Sequence, residues 1–111
     1  MKLNYWEFPI INTTTRNEYI SDQIIKIVGS KLEIPTQLLI SKNRKREIVE
    51  ARHIAMSLIK NNTSLPLKTI GGLFGKRDHS TVIHACKNVK DFLEMNNKDF
   101  TAKYNLIASS L

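Results

Sequence analysis

A chain of 111 residues, 41% of them hydrophobic, suffices for one domain with a modest core and is too apolar for wholesale disorder. Its 17 lysines and arginines outnumber 10 aspartates and glutamates, giving a formal charge of +7, which points to a polyanionic partner or an anionic membrane surface. A lone cysteine, Cys86, excludes an intrachain disulfide and a cysteine-rich zinc site; no apolar run reaches the roughly 18 residues of a membrane span, and Met1-Lys2-Leu3-Asn4-Tyr5-Trp6 lacks a signal peptide's apolar stretch. A soluble protein of the reducing cytosol is the expectation.

Residues 1 to about 17 carry no clear period, and Asn12-Thr13-Thr14-Thr15 reads as a turn. Trp6, Phe8, Ile10 and Ile11 are apolar enough to dock, so the segment is either an ordered arm or a loose extension. From about Glu18 to Lys31, Ile20, Ile24, Ile27 and Val28 recur at helical spacing. Pro35 forbids simple continuation and suits the start of a short turn through Leu39. A second long helix is predicted from about Glu47 to Lys60, with Ile48, Ala51, Ala55, Leu58 and Ile59 as its buried stripe. Asn61-Asn62-Thr63-Ser64 ends it with poor helix formers.

Pro66 opens a third helix running to about Phe74, and Gly75 closes it. Asp78 is a good N-cap for the next, from about His79 to Met95, with Val82, Cys86, Val89 and Leu93 on one face and Ile83, Ala85 and Phe92 widening it. After Asn96-Asn97, a last helix of about 98–110 carries Phe100, Tyr104, Ile107 and Leu111. No stretch alternates with a period of two. The expected fold is all-α, a five- to six-helix bundle with a helical body at 18–111.

Residues 66–95 form the layout of a helix-turn-helix: a short helix, a glycine-led turn and a longer helix. In that layout the second helix enters the major groove, and here its first residues are Asp78, His79, Ser80 and Thr81, all able to hydrogen-bond base edges. The simpler alternative is a capped helix start with solvated first-turn residues. The balance shifts because Lys76 and Arg77 adjoin and a separate basic loop precedes. Within Lys42 to Arg52 stand five cations, Lys42, Arg44, Lys45, Arg46 and Arg52, against Glu47 and Glu50 alone. Most charge runs are merely solvated. This one is dense enough to meet phosphates, with one or two arginines reaching into a narrow minor groove.

The runs Ser41-Lys42-Asn43-Arg44-Lys45-Arg46, Ala51-Arg52-His53-Ile54-Ala55-Met56 and Gly75-Lys76-Arg77-Asp78-His79-Ser80-Thr81-Val82-Ile83-His84-Ala85-Cys86 resemble the C-terminal DNA-binding domain of the DnaA family, bacterial chromosomal replication initiators. The likeness covers roughly 18–95, and the segment from Arg77 to Cys86 is its most specific part. It implies a helical fold related to the Trp repressor and binding, as a monomer on each site, to a double-stranded DnaA box resembling TTATNCACA. It also implies that Asp78, His79, Ser80 and Thr81 meet bases in the major groove while Arg44 enters the minor groove over the A/T-rich half. Lys42, Lys45, Arg46, Arg52, His53, Lys68, Lys76, Arg77 and Lys87 would then face the phosphate backbone.

Departures from the family pattern are Lys76 in place of a second glycine, Ala51-Arg52-His53 in place of Pro-Arg-Gln, Glu50 at an often basic position, and Ser80 in place of the commoner threonine. They put the preferred box in question. No ATPase domain resembling the family's is evident: Gly71-Gly72-Leu73-Phe74-Gly75-Lys76-Arg77 only superficially looks like a Walker A loop, with its glycines one residue too close and no Ser/Thr after the lysine. The expectation is a stand-alone protein or a dissected domain, and the Met1 start with its Trp6 leader favours the former. His79, His84 and Cys86 fall on different helix faces, so no metal, no cofactor and no enzymatic activity are expected. The alternative reading is a module that binds replication proteins, with Trp6-Glu7-Phe8-Pro9 as the aromatic anchor. A membrane partner is not expected, because the cations cluster at a loop and a turn instead of lining one helix.

Overall fold

The computed structural model describes residues 13–111, Thr13 and Thr14 by backbone alone. The leader with Trp6, Phe8, Ile10 and Ile11 lies outside the described residues. Among those described there are six helices and no strand: α1 (Thr13–Lys31), α2 (Thr36–Leu39), α3 (Arg46–Asn62), α4 (Leu67–Leu73), α5 (His79–Glu94) and α6 (Lys98–Ala108). The fold is all-α, as the periodicity predicts, and α4 and α5 make a helix-turn-helix.

The first helix starts earlier than the sequence pattern indicates. Thr13–Asn17, read as a turn and aperiodic stretch, form its opening turns. A tertiary contact overrides the weak local signal: Asn17 is buried and its Nδ2 donates to Ser64 Oγ at 2.7 Å, tying α1 to the connection before α4. Farther along, Ile20, Ile24, Ile25 and Val28 are buried against α3.

The hub is α3, which packs on α1, α2, α4 and α5. Ala51, Ile54, Ala55, Met56, Leu58 and Ile59 are all buried, so nearly the whole helix girth beyond its first turn is enclosed. Two side chains add hydrogen bonds at its C-terminal end: Asn62 Nδ2 donates to the Leu58 oxygen and Thr63 Oγ1 to that of Ile59, both at 2.7 Å, the latter beside the Thr63 N–H on the same oxygen at 3.0 Å. Asn97 caps α6 by accepting the Phe100 N–H at 3.0 Å, and Phe100 packs on Phe92 with ring centroids 5.0 Å apart.

The α4–α5 turn is fixed by two glycines. At Gly71, inside α4, an added Cβ would collide with the Arg77 carbonyl, so the turn lies directly on the helix backbone. At Gly75, φ is +83° and an added Cβ would sit 2.6 Å from the Ile40 carbonyl. The neighbouring Gly72 has nothing within 4 Å of such a Cβ. Gly71→Ala is therefore expected to cost about 2 kcal/mol or more through overpacking. Gly72→Ala, on the exposed side of the same helix, should stabilise by about 0.5–1 kcal/mol. Thermal unfolding of the two variants checks this, and similar shifts for both would contradict the packing described.

Candidate nucleic-acid interface

The α4–α5 turn is built from opposing backbone demands. The chain leaves α4 at Phe74, which is fully buried, and reverses through Gly75 and Lys76, both with positive φ. Lys76 holds φ at +60°, an uncommon conformation for a residue with a side chain. The Arg77 N–H then returns to the Gly71 carbonyl at 2.9 Å. Asp78 has extended backbone angles, as an N-cap requires, and starts α5.

Asp78 Oδ1 accepts three hydrogen bonds, from the Thr81 N–H at 3.0 Å, Ser80 Oγ at 2.6 Å and Thr81 Oγ1 at 3.2 Å. These bonds hold the Asp78 carboxyl below the usual carboxylate range, the Ser80 hydroxyl contributing most. They also commit both hydroxyl protons, leaving Ser80 and Thr81 to act outward as acceptors. The capping alternative weighed from sequence is thus realised for Asp78, while His79 and Ser80 stand exposed beside it.

Helical geometry extends this face. Ser80, Ile83, His84 and Lys87 follow one another at spacings of three and four and are all exposed, Ile83 by 50%. Val82, Ala85 and Val89 bury the opposite side. Sequence reasoning placed Ile83 in the broadened apolar face and so missed it as a surface residue; its adjacency to Ser80 was the available signal.

The basic loop is equally shaped. Ser41 Oγ donates to the Leu38 carbonyl at 2.7 Å and accepts the Asn43 N–H at 3.1 Å; Asn43 Oδ1 accepts the Lys45 N–H at 2.8 Å. At its centre stands Arg52, which is 4% exposed. Its Nε donates to the Leu39 carbonyl at 2.8 Å. Its Nη2 reaches the carbonyls of Ser41 at 2.9 Å, Asn43 at 3.1 Å and Leu38 at 3.4 Å. Arg52 thus differs from the phosphate-facing residue expected: those donors are spent on the loop's own carbonyls. The sequence held the clue, because Ile48, Arg52, Ala55 and Ile59 share one helical stripe.

Loop and turn meet across a groove of about 720 Å³, lined among others by Lys42, Arg44, Arg52, His53, Lys76, Arg77, Asp78 and Thr81. Residues far apart in sequence are brought together there as expected. Others are not. Lys45 lines a separate groove with Glu47 and Lys103, and Arg46 pairs with Glu50 at 3.2 Å, itself 3.8 Å from Lys103. Lys68 is exposed on α4. Lys87 borders a further groove of about 490 Å³ beside Lys60, Lys90 and Cys86, whose thiol pKa is raised by burial.

Residues 21–89 match the bacterial DnaA protein helix-turn-helix family. The chain belongs to the DnaA helix-turn-helix family. It is 44% identical over 90 residues to the chromosomal replication initiator protein DnaA of Bacteroides thetaiotaomicron, covering 81% of this chain and 19% of that protein. With DnaA of Ureaplasma parvum it shares 37% identity over 101 residues, 91% of this chain and 22% of the relative. With that of Flavobacterium psychrophilum the figures are 42% over 85 residues, 77% and 18%. The chain spans about a fifth of the length of these relatives. The span matched to the DnaA family contains both walls of the groove and most of α5; α6 lies beyond it.

His53 stands in the wall of the groove. Its ring meets His84 edge-on, centroids 6.3 Å apart and planes at 86°. Burial, then the charges of His84, Arg52 and Arg77, push its pKa down to about 4, with Glu50 opposing. His53 is therefore neutral at pH 7 and no phosphate-binding cation in the free protein.

The unfolded chain protonates His53 near pH 6.5 and the folded one near 4, so its stabilising contribution is complete above 6.5 and is lost as pH falls through that window. His53→Gln should make stability between pH 7 and 4.5 less pH-dependent by about 2 kcal/mol, read by urea unfolding at fixed ionic strength. An unchanged slope would remove His53 as the source. Lys76→Gly should relieve left-handed strain and raise stability by about 1 kcal/mol, measured by the same unfolding assay at pH 7.

Proposed function

We propose that the chain binds double-stranded DNA sequence-specifically at a site resembling the DnaA box, TTATNCACA, in the initiation of replication or its regulation. The observation that carries this reading is the shared groove, which sets the basic loop beside the N-terminus of α5. The binding unit is the helical body, expected at 18–111 and opening with α1 at Thr13. It acts as a monomer on each site.

In this reading α5 lies in the major groove, presenting His79, Ser80 and Ile83 near Asp78 and Thr81. The acceptor character of Ser80 and Thr81 suits the exocyclic amino groups of cytosine and adenine. Ile83 offers an apolar surface to a thymine methyl, a contact that serine at position 80 no longer supplies. The loop carries Arg44 into the adjacent minor groove, where a narrow A/T-rich stretch concentrates negative potential. Lys42, Lys76, Lys68 and Lys87, all exposed, serve the phosphates. Lys45 and Arg46 have a lesser part, Arg46 being shared with Glu50.

In vitro selection from random duplexes tests the reading: a DnaA-box-like nonamer should emerge, and recovery of unrelated sequences would sink it. His79→Ala should relax discrimination in the CACA half by about 1–3 kcal/mol, and Arg44→Ala should weaken binding mainly through the A/T-rich half. Fluorescence anisotropy with duplexes altered in one half at a time separates the two. If neither variant changes its half, the residue assignments fail.

A further inference from the structure

Arg77 was expected to face phosphate, but the structure points its guanidinium inward. Its Nη2 donates to the Ser41 carbonyl at 2.8 Å, across 36 positions of sequence. The same oxygen accepts Arg52 Nη2 at 2.9 Å. Arg77 Nε is buried without a hydrogen-bond partner, so this side chain is held by the Ser41 bond and by packing. One residue upstream of Ser41, the Ile40 carbonyl is the group that a Cβ on Gly75 would strike at 2.6 Å. Two successive carbonyls at the entrance of the basic loop, Ile40 and Ser41, therefore abut the turn that launches α5. The first does so by close backbone approach and the second by a charged hydrogen bond.

We propose that Arg77 is a positioning residue for DNA recognition: its bond to the Ser41 carbonyl locks the loop carrying Arg44 to the start of α5, fixing the register between minor-groove and major-groove contacts. This rests on the DNA reading above. A bound duplex sets the distance between its two grooves, so a loop that drifts relative to α5 loses the half read by Arg44 first. A phosphate contact behaves otherwise. It weakens every sequence alike and lowers the salt dependence when removed.

The two roles separate in a titration of the full chain with the DnaA-box duplex, a duplex altered in the A/T-rich half, one altered in the CACA half and a scrambled one, at several salt concentrations. For Arg77→Met, which keeps the stem, discrimination against the A/T-half change should fall about fivefold or more, with that of the CACA half largely kept. The salt slope should stay as in the wild type, whereas loss of a phosphate contact would lower it by about one. In a double-mutant cycle, Arg44→Ala with Arg77→Met should be no worse at the A/T half than Arg44→Ala alone, because Arg77 acts there through Arg44. A uniform loss across all duplexes with a reduced slope overturns the positioning role while leaving the DNA reading intact. A wild-type chain that does not distinguish box from scrambled duplex fails both. Should Arg77→Met not fold by circular dichroism, Arg77→Lys is read instead. It retains the charge without the planar fork and should keep the full salt slope with intermediate discrimination; wild-type discrimination from it also overturns the proposal.

Discussion

The burial of Arg52 among the carbonyls of Leu38, Leu39, Ser41 and Asn43 is the constraint on which the rest of the interface depends. A helix as short as α2 ends almost as soon as it begins, so its carbonyls have few internal partners. The loop that follows is pressed against α3 and must satisfy its polar backbone from within. A guanidinium delivered from α3 meets this demand with fixed, planar donors. Burying that charge is costly, and hydrogen bonds from a charged donor, each worth about 1.5–3 kcal/mol, offset it. Burial, and after it the charge of Arg77, lowers the pKa of Arg52, yet arginine is basic enough to remain a cation. Lysine, with one compact ammonium, could not span the same set of oxygens.

This arrangement explains how a loop of like charges keeps a defined form. Lys42, Arg44, Lys45 and Arg46 repel one another and contribute no apolar anchor. The order comes instead from backbone carbonyls gathered around Arg52 and from the Ser41 and Asn43 side chains bonding to neighbouring backbone. The cations are carried passively on that frame, and the frame parts them. Lys42 and Arg44 fall on the groove, while Lys45 and Arg46 fall toward Glu47, Glu50 and Lys103. Density of charge in sequence therefore overstates how much of it one DNA strand could meet.

The helix-turn-helix was legible because its punctuation is local: Pro66 before α4, Gly75 after it and Asp78 at the cap each act within a few residues. The long helices were legible from their stripes. What sequence did not show is what depends on distant partners. Asn17 joins α1 because Ser64 receives it, and Thr13-Thr14-Thr15 extend that helix against an indifferent local preference. Arg52 resembles the arginines around it by charge alone; its place on the Ile48–Ala55–Ile59 stripe identifies it as interior. Ile83 went the other way, an apolar residue assigned to the core that lies on the exposed face.

The departures from the DnaA pattern fall on side chains and leave this frame in place. Lys76 adopts a left-handed backbone where the family commonly has glycine, and the turn closes nonetheless, with the Arg77 N–H on Gly71 and the guanidinium on Ser41. The surroundings thus determine the conformation, and the residue bears a strain of about 1–2 kcal/mol. His53 replaces an amide with a ring kept neutral at the groove wall, so shape is altered there without adding charge. Ser80 keeps the hydroxyl that bonds Asp78 and loses only a methyl. A frame set by backbone carbonyls, glycines and one buried arginine is insensitive to such exchanges. Specificity can drift at the groove while the means of presenting it persists.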